Sequence, residues 1–275
     1  MRTKSTLMER MLHFSMTSVS SEKLETGINT FHEQLSANGL YKNLDYSTNQ
    51  TWSYSLAEGK DGGPVLVNRT AYPEHIFWEQ PPDDKHTPAW RLKASSDEIL
   101  FNYMKNTLDD SGSWADFIST ACTLIPMLRQ ALNIQIWKSI VVTYYFTYSS
   151  QTIEDRTLAK DDWIEVMDLL QPFRVMPHSD GFESYCPTYL WEQSWMCRRN
   201  ENLYRIYSRL DANHAMKPAK SQPLEIHLYM SVAPLDSLVK NKFDIPWDAL
   251  FSLLKDNYFS MLTDKSSHIL AGDFK

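Results

Sequence analysis

Glycine is scarce, with 8 in 275 residues. A doubly wound cofactor fold needs glycine where backbone must approach pyrophosphate, so a Gly-rich nucleotide loop is not expected. Gly59, Gly62 and Gly63 fall in Glu58-Gly59-Lys60-Asp61-Gly62-Gly63, which reads as a hairpin turn. It lacks the Lys-Ser/Thr and helix that follow a phosphate-cradling loop. The motif Gly-x-Ser-x-Gly is missing, and Gly112-Ser113 reads as a helix N-cap region. Cysteine is also rare: Cys122, Cys186 and Cys197 form no Cys-x-x-Cys pair. An odd number at irregular spacing fits reduced thiols of a cytosolic protein better than a disulfide framework. No stretch approaches the roughly 20 apolar residues that cross a bilayer. The basic start, Met1-Arg2-Thr3-Lys4, leads into no apolar run, so no signal peptide is read. The expected location is the cytoplasm, with no membrane partner. Excess positive charge is missing as well. The net charge of −7 and pI near 5.6 do not suit a general polyanion binder, although a local basic face survives inside an acidic average.

What is present is aromatic. Trp, Tyr and Phe make 13% of the chain, including 9 Trp and 14 Tyr, which leans toward a sheet-rich fold. A chain of this length buries about three quarters of its unfolded surface without disulfide or metal support. Residues 10–18 read as a strand, with Leu12, Phe14 and Met16 alternating. Ser20 or Ser21 caps a helix over Glu22–Ala37, whose stripe is Leu24, Ile28, Phe31 and Leu35, and Asn38-Gly39 stops it. Strands are expected at 51–57, 65–72, 75–79 and 90–101. A helix follows over 113–132, with Trp114, Phe117, Ile118, Ala121, Leu124, Ile125 and Leu128 on one face. Pro126 inside that pattern predicts a kink or an end.

The second half runs through the same order. A strand is expected at 137–149, a helix at 161–171, strands at 188–198, 202–211 and 223–233, and a helix from Pro246 to Leu262. Ser113-Trp114-Ala115-Asp116-Phe117-Ile118-Ser119 aligns with Pro246-Trp247-Asp248-Ala249-Leu250-Phe251-Ser252 at an offset of 133. The expected fold is therefore α+β, made of two pseudo-repeated halves, 1–133 and 134–275. Each half is strand, helix, three or more antiparallel strands, helix. The halves would form a broad, curved antiparallel sheet with helices packed on one face.

Residues 90–149 and 223–265 resemble a sporadically distributed family of uncharacterised bacterial proteins of about this length. The resemblance rests on Trp247-x-x-Leu250 followed by Phe259-Ser260-Met261-Leu262-Thr263-Asp264. The chain departs from that family at Thr143-Tyr144-Tyr145-Phe146, where an Arg-Tyr-x-Asn pattern is usual. It departs again at Leu224-Glu225-Ile226-His227, where Leu-Asp-Ile-Asp is usual. The resemblance implies a defence-associated or mobile locus, with protein partners encoded beside it. It implies no activity and carries over no functional residue.

Among residues that could carry chemistry, His214 and His227 lie near Asp211 and Glu225, a donor set of the kind that zinc or iron takes. Their spacing matches no metal motif, and a lone mid-strand histidine is more often structural. Cys186 or Cys197 with His178 or His214 would make a thiol–imidazole pair, but nothing in the chain places them together. No cofactor is expected. The stretch 197–220 is basic, and period two puts Arg205, Tyr207 and Arg209 on one strand face, near Arg198 and Arg199. Guanidinium groups interleaved with an aromatic ring suit a nucleic-acid backbone and its bases, or equally a solvated sheet face. Tyr189, Trp191, Gln193 and Trp195 also share a face, which reads as core between the halves or, if exposed, as a partner-binding patch. Because no catalytic set assembles in the sequence, the expected function is a non-enzymatic protein-interaction component, and the resemblance implies that it belongs to a bacterial multi-protein system. A nucleic-acid binder using Arg198–Arg209 is the first alternative, and a hydrolase or metal-dependent enzyme with a site between the halves is the second.

Overall fold

Among the described residues, alternation of apolar and polar residues builds nine strands, and 3.6-residue spacing builds three helices. The computed structural model describes residues 7–38, 44–58, 64–78, 90–104, 114–149, 188–199, 201–213, 225–235, 245–264 and 266. The strands are β1 (Leu7–Met16), β2 (Leu44–Glu58), β3 (Pro64–Trp78), β4 (Trp90–Ala94), β5 (Glu98–Met104) and β6 (Trp137–Ser149). They continue with β7 (Thr188–Arg199), β8 (Asn202–Asn213) and β9 (Glu225–Pro234). The helices are α1 (Ser21–Ala37), α2 (Trp114–Ala131) and α3 (Trp247–Met261). The helix expected at 161–171 and the turn residues 59–63 lie outside the described residues.

All nine strands join one antiparallel sheet in the order β2-β3-β4-β5-β1-β6-β9-β8-β7. At its centre β1 pairs with β6, placing Leu12 opposite Val142 and Phe14 opposite Ile140. Leu12, Phe14, Met16, Ile140, Val142, Phe146 and Tyr148 all point to one face and are buried. The three described helices cover that same face. Phe31 of α1 meets Phe77, Phe117 of α2 stacks on Phe101, and Tyr258 of α3 stacks on Phe146. Each such side chain taken fully out of water contributes about 2 kcal/mol. Inside this layer lies a charge: Arg10, 3% exposed, donates from Nε to the Tyr144 hydroxyl at 3.3 Å. Its guanidinium lies 5.4 Å from the Tyr144 ring centroid, so the ring stands in for part of the lost water. Burial pushes the Tyr144 phenol up to about 12 against the opposing pull of Arg10, which keeps it a neutral partner.

The helix ends follow their local chemistry. Ser20 caps α1 by accepting from the Lys23 amide, and Leu24, Ile28, Phe31 and Leu35 are its buried stripe. At the end of α2, Asn133 takes a left-handed φ of 53°, with Asn133 N–H to the Gln130 carbonyl and Ile134 N–H to the Arg129 carbonyl. This is a Schellman closure with asparagine in glycine's place. The Arg129 side chain then bonds the carbonyls of Ile134 and Gln135.

Three expectations are corrected. The strands at 65–72 and 75–79 are one strand, β3, running through Pro73. Only His75–Trp78 of β3 pairs with β4, so Pro73 sits where β2 is its sole described neighbour and a missing N–H breaks no second ladder. The span 90–101 is two strands, folded back at Ser95, whose amide bonds the Glu98 carbonyl and whose hydroxyl accepts from the Glu98 amide. Finally, α2 does not end at Pro126, because Leu124, Ile125 and Leu128 on either side are held in the core.

Helix α1 approaches the end of α2 at Gly27. A Cβ there would sit 2.6 Å from Leu132 Cδ2 and 2.8 Å from the Ala131 carbonyl oxygen. Alanine gains about 1 kcal/mol of helix propensity. Overpacking against backbone that cannot swing aside costs about 1–3 kcal/mol. Gly27→Ala should therefore lower the thermal midpoint, and adding Leu132→Ala should not restore it, because the carbonyl contact remains. A Gly27→Ala chain more stable than the parent would contradict this packing.

Candidate binding face on the sheet

The alternate residues of β1, β6, β9, β8 and β7 form the sheet face opposite α1, α2 and α3. Across five neighbouring strands the register lines up Glu9 (β1), Tyr145 (β6), Tyr229 (β9), Arg209 (β8) and Glu192 (β7) in a row. Tyr145 and Tyr229 stack with centroids 4.6 Å apart. The Tyr145 hydroxyl lies 2.6 Å from His227 Nδ1, and those two rings lie nearly parallel at 5.9 Å. Arg209 grips Asp211 with Nε at 2.9 Å and a second nitrogen at 3.4 Å, and a third reaches Glu192 at 3.5 Å. The Tyr207 hydroxyl donates to Glu192 at 3.0 Å, and Thr143 and Ser231 share a hydrogen bond of 2.7 Å. Each ring or fork is thus held by a neighbouring strand in one orientation.

The electrostatics keep these groups as donors. Burial, then the neighbouring Tyr145, pushes the Tyr229 phenol up. Burial, then Glu192, does the same for Tyr207. Both stay protonated at neutral pH. The hydrogen bonds to Asp211 raise Arg209 further, and its charge is offset by Asp211 and Glu192. At the other end of the row, Glu9 accepts from Asn102 Nδ2 and lies 3.9 Å from Arg91. Burial raises the Glu9 carboxyl despite Asn102, Arg91 and Lys93, all of which pull it down.

The structure divides the basic set read from the sequence. Arg205, Tyr207 and Arg209 share this face, and Arg198 lies on it too. Arg199 turns to the helix side and bonds Asp256 of α3 at 2.9 Å. Among the described residues, Arg198 and Arg205 have no carboxylate within ion-pair distance. Asp211 sits directly opposite His227, but Asp211 is engaged by Arg209 and His227 Nδ1 by Tyr145. Among the described residues no three His, Cys, Asp or Glu side chains could hold a metal ion. His214, Cys186 and His178 lie outside the described residues, as does the Glu225 side chain. Cys197 is half-buried on the helix side, and burial pushes its thiol up, the reverse of an activated nucleophile.

Trp191 and Trp195 also turn to the helix side, opposite Leu210 and Ile206, and pack half-buried against the core. Their strand, β7, is the outermost described one, three strands from the central β1–β6 pair. Tyr189 is placed by its backbone alone, opposite Ala212. The residues that sequence reasoning passed over are Tyr145, Tyr229, Glu9 and Asn102. Their signal was period two on β6 and β9, hidden because β6 is aromatic on both faces.

Fold and face together define an α+β protein on one antiparallel sheet, helices on one side and a polar–aromatic surface on the other. Among the described residues no helix is long and apolar enough to cross a membrane. No protein-family model, no curated protein and no solved structure matches the chain.

Glu9 makes stability depend on pH. A carboxyl raised on folding binds more protons in the native state, so its contribution is present below the ordinary value of 4.5 and lost as pH rises through the folded value. Glu9→Gln should flatten the fall in stability above pH 4.5, measured by urea titrations at several pH values. An unchanged slope would contradict the burial of Glu9.

Proposed function

We propose that the chain is a non-enzymatic protein-interaction component of a bacterial multi-protein system, docking its partner on the sheet face opposite the helices. The observation that carries this reading is the row Tyr145–Tyr229–Arg209 on three neighbouring strands, its two rings stacked and its guanidinium held by Asp211 and Glu192. Tyrosine and arginine dominate the energetics of protein interfaces. Groups already fixed in the free protein lose little entropy on binding. The row also presents phenol and guanidinium groups together, the guanidinium charge offset by Asp211 and Glu192, which suits a carbonyl-rich partner surface.

Two related halves, 1–133 and 134–275, would account for the chain order. In support, β1 and β6, the first strands of each, pair antiparallel, and each has its own half's last described strand, β5 or β9, on its other side. In each half a helix follows that strand, α2 or α3. Their leading residues, Trp114 and Trp247, meet with ring centroids 6.3 Å apart. Right-handed strand twist accumulated over nine strands would curve the sheet.

A nucleic-acid partner is the second reading, favoured by Arg198 and Arg205 lying unengaged beside Tyr207. One experiment separates the two. Partners captured from native cells with and without nuclease are compared between the parent chain and two variants. For a protein partner, Tyr229→Ala with Arg209→Ala should weaken capture at least about tenfold, with nuclease irrelevant. For nucleic acid, Arg198→Ala with Arg205→Ala should remove about two units from the salt slope of binding. A partner held equally by the parent and the Tyr229/Arg209 variant would overturn the docking-face reading.

A further inference from the structure

Among the described residues strand β7 ends the sheet, and no described strand pairs with its far edge. It runs 12 residues against β8 without a register shift. At the opposite end β2 is broken twice, between Ser53 and Tyr54 and between Ser55 and Glu58. Bulges, prolines and charged side chains, lysine above all, keep sheet edges from pairing with other chains. Thr188–Arg199 contains no bulge, proline or lysine, and its charges are Glu192 and the two arginines at its end, Arg198 and Arg199.

What β7 does contain is symmetric about Gln193 in its large apolar residues: in Leu190-Trp191-Glu192-Gln193-Ser194-Trp195-Met196, Trp191 mirrors Trp195 and Leu190 mirrors Met196, with Glu192 against Ser194. A two-fold interface is isologous, so that residue i meets j and j meets i. We infer that the chain self-associates through β7, two copies laying their β7 strands antiparallel about a two-fold axis at Gln193 and merging their sheets. Leu190 of each copy then lies opposite Met196 of the other. These side chains are 56% and 64% exposed, and with Ile136 they are the large hydrophobics left in water among the described residues. On the helix side each Trp191 meets the other copy's Trp195, extending the half-buried margin of the core. Only this alignment covers all four pairs. Moving the axis to Ser194 sets Leu190 against Arg198 and Met196 against Glu192. Parallel pairing sets Arg198 against Arg198. In the alignment centred on Gln193 the arginine ends point apart, and Glu192 keeps its bonds to Tyr207 and Arg209 within its own copy. The site is the edge of the sheet, so it stands whether or not the face binds a partner.

The test is analytical ultracentrifugation of the full chain over a concentration series. The parent should show a concentration-dependent dimer. Leu190→Lys with Met196→Lys, both at exposed positions, should weaken it about a hundredfold or more with unchanged circular dichroism. A second arm places a single cysteine at the axis, Gln193→Cys, in a chain carrying Cys122→Ser, Cys186→Ser and Cys197→Ser. Mild oxidation should give a covalent dimer far faster than the same chain with Arg205→Cys instead. A monomer at every concentration, a dimer untouched by the two lysines, or equal cross-linking at 193 and 205 would each overturn the proposal.

Discussion

The pairing of β1 with β6 joins the first and second parts of the chain along one unbroken row, from Arg10 opposite Tyr144 to Ser15 opposite Ser139. Every other strand is hung on one side of it or the other. The β2–β5 meander builds outward from β1, and the β9-β8-β7 meander builds outward from β6. Because these partners are far apart in sequence, a large loop must close before their contacts form, so this seam carries a high entropic cost of closure. The buried Arg10 and Tyr144 lie on it, and such a pair carries a geometric demand that apolar contacts lack. A one-residue slip would turn Arg10 to the other face and leave Tyr144 without its donor.

Once the seam fixes which residues face the helices, the opposite face follows by parity. Tyr144 goes to the core, where burial keeps it neutral, and Tyr145 goes to the other side, to stack on Tyr229 and meet His227. Cross-strand neighbours hold several polar groups there, pairing Tyr145 with His227, Thr143 with Ser231 and Tyr207 with Glu192. The surface is therefore rich in oriented donors yet close to neutral where Arg209 is matched by Asp211 and Glu192. Local neutrality is why shape and hydrogen bonding, more than bulk charge, underlie the interaction reading.

Much of this was legible in the residues. Helix α1 announced itself at Ser20, through Leu24, Ile28, Phe31 and Leu35, and at Asn38, because caps and stripes act locally. Strands β1, β6, β8 and β9 followed from period two. The order of strands was not legible, because pairing partners are chosen by contacts remote in sequence. On β6 the run Thr143-Tyr144-Tyr145-Phe146 offers aromatics to both faces, so parity alone could not say which tyrosine is buried. Arg198 and Arg199 are neighbours in a basic stretch but point to opposite faces, and only one joins the candidate surface. Trp191 and Trp195 read as core between the halves or, if exposed, as a partner-binding patch; they pack half-buried against the core on the outermost described strand, a position that alternation along one strand cannot reveal.

Native-state hydrogen exchange tests the central claim, that the β1–β6 seam holds the two parts together as one cooperative unit. The amides of Leu12, Phe14, Ile140 and Val142 should exchange last and with a common free energy equal to that of global unfolding. Exchange at this seam well before the outer strands, with the two parts opening separately, would contradict the account.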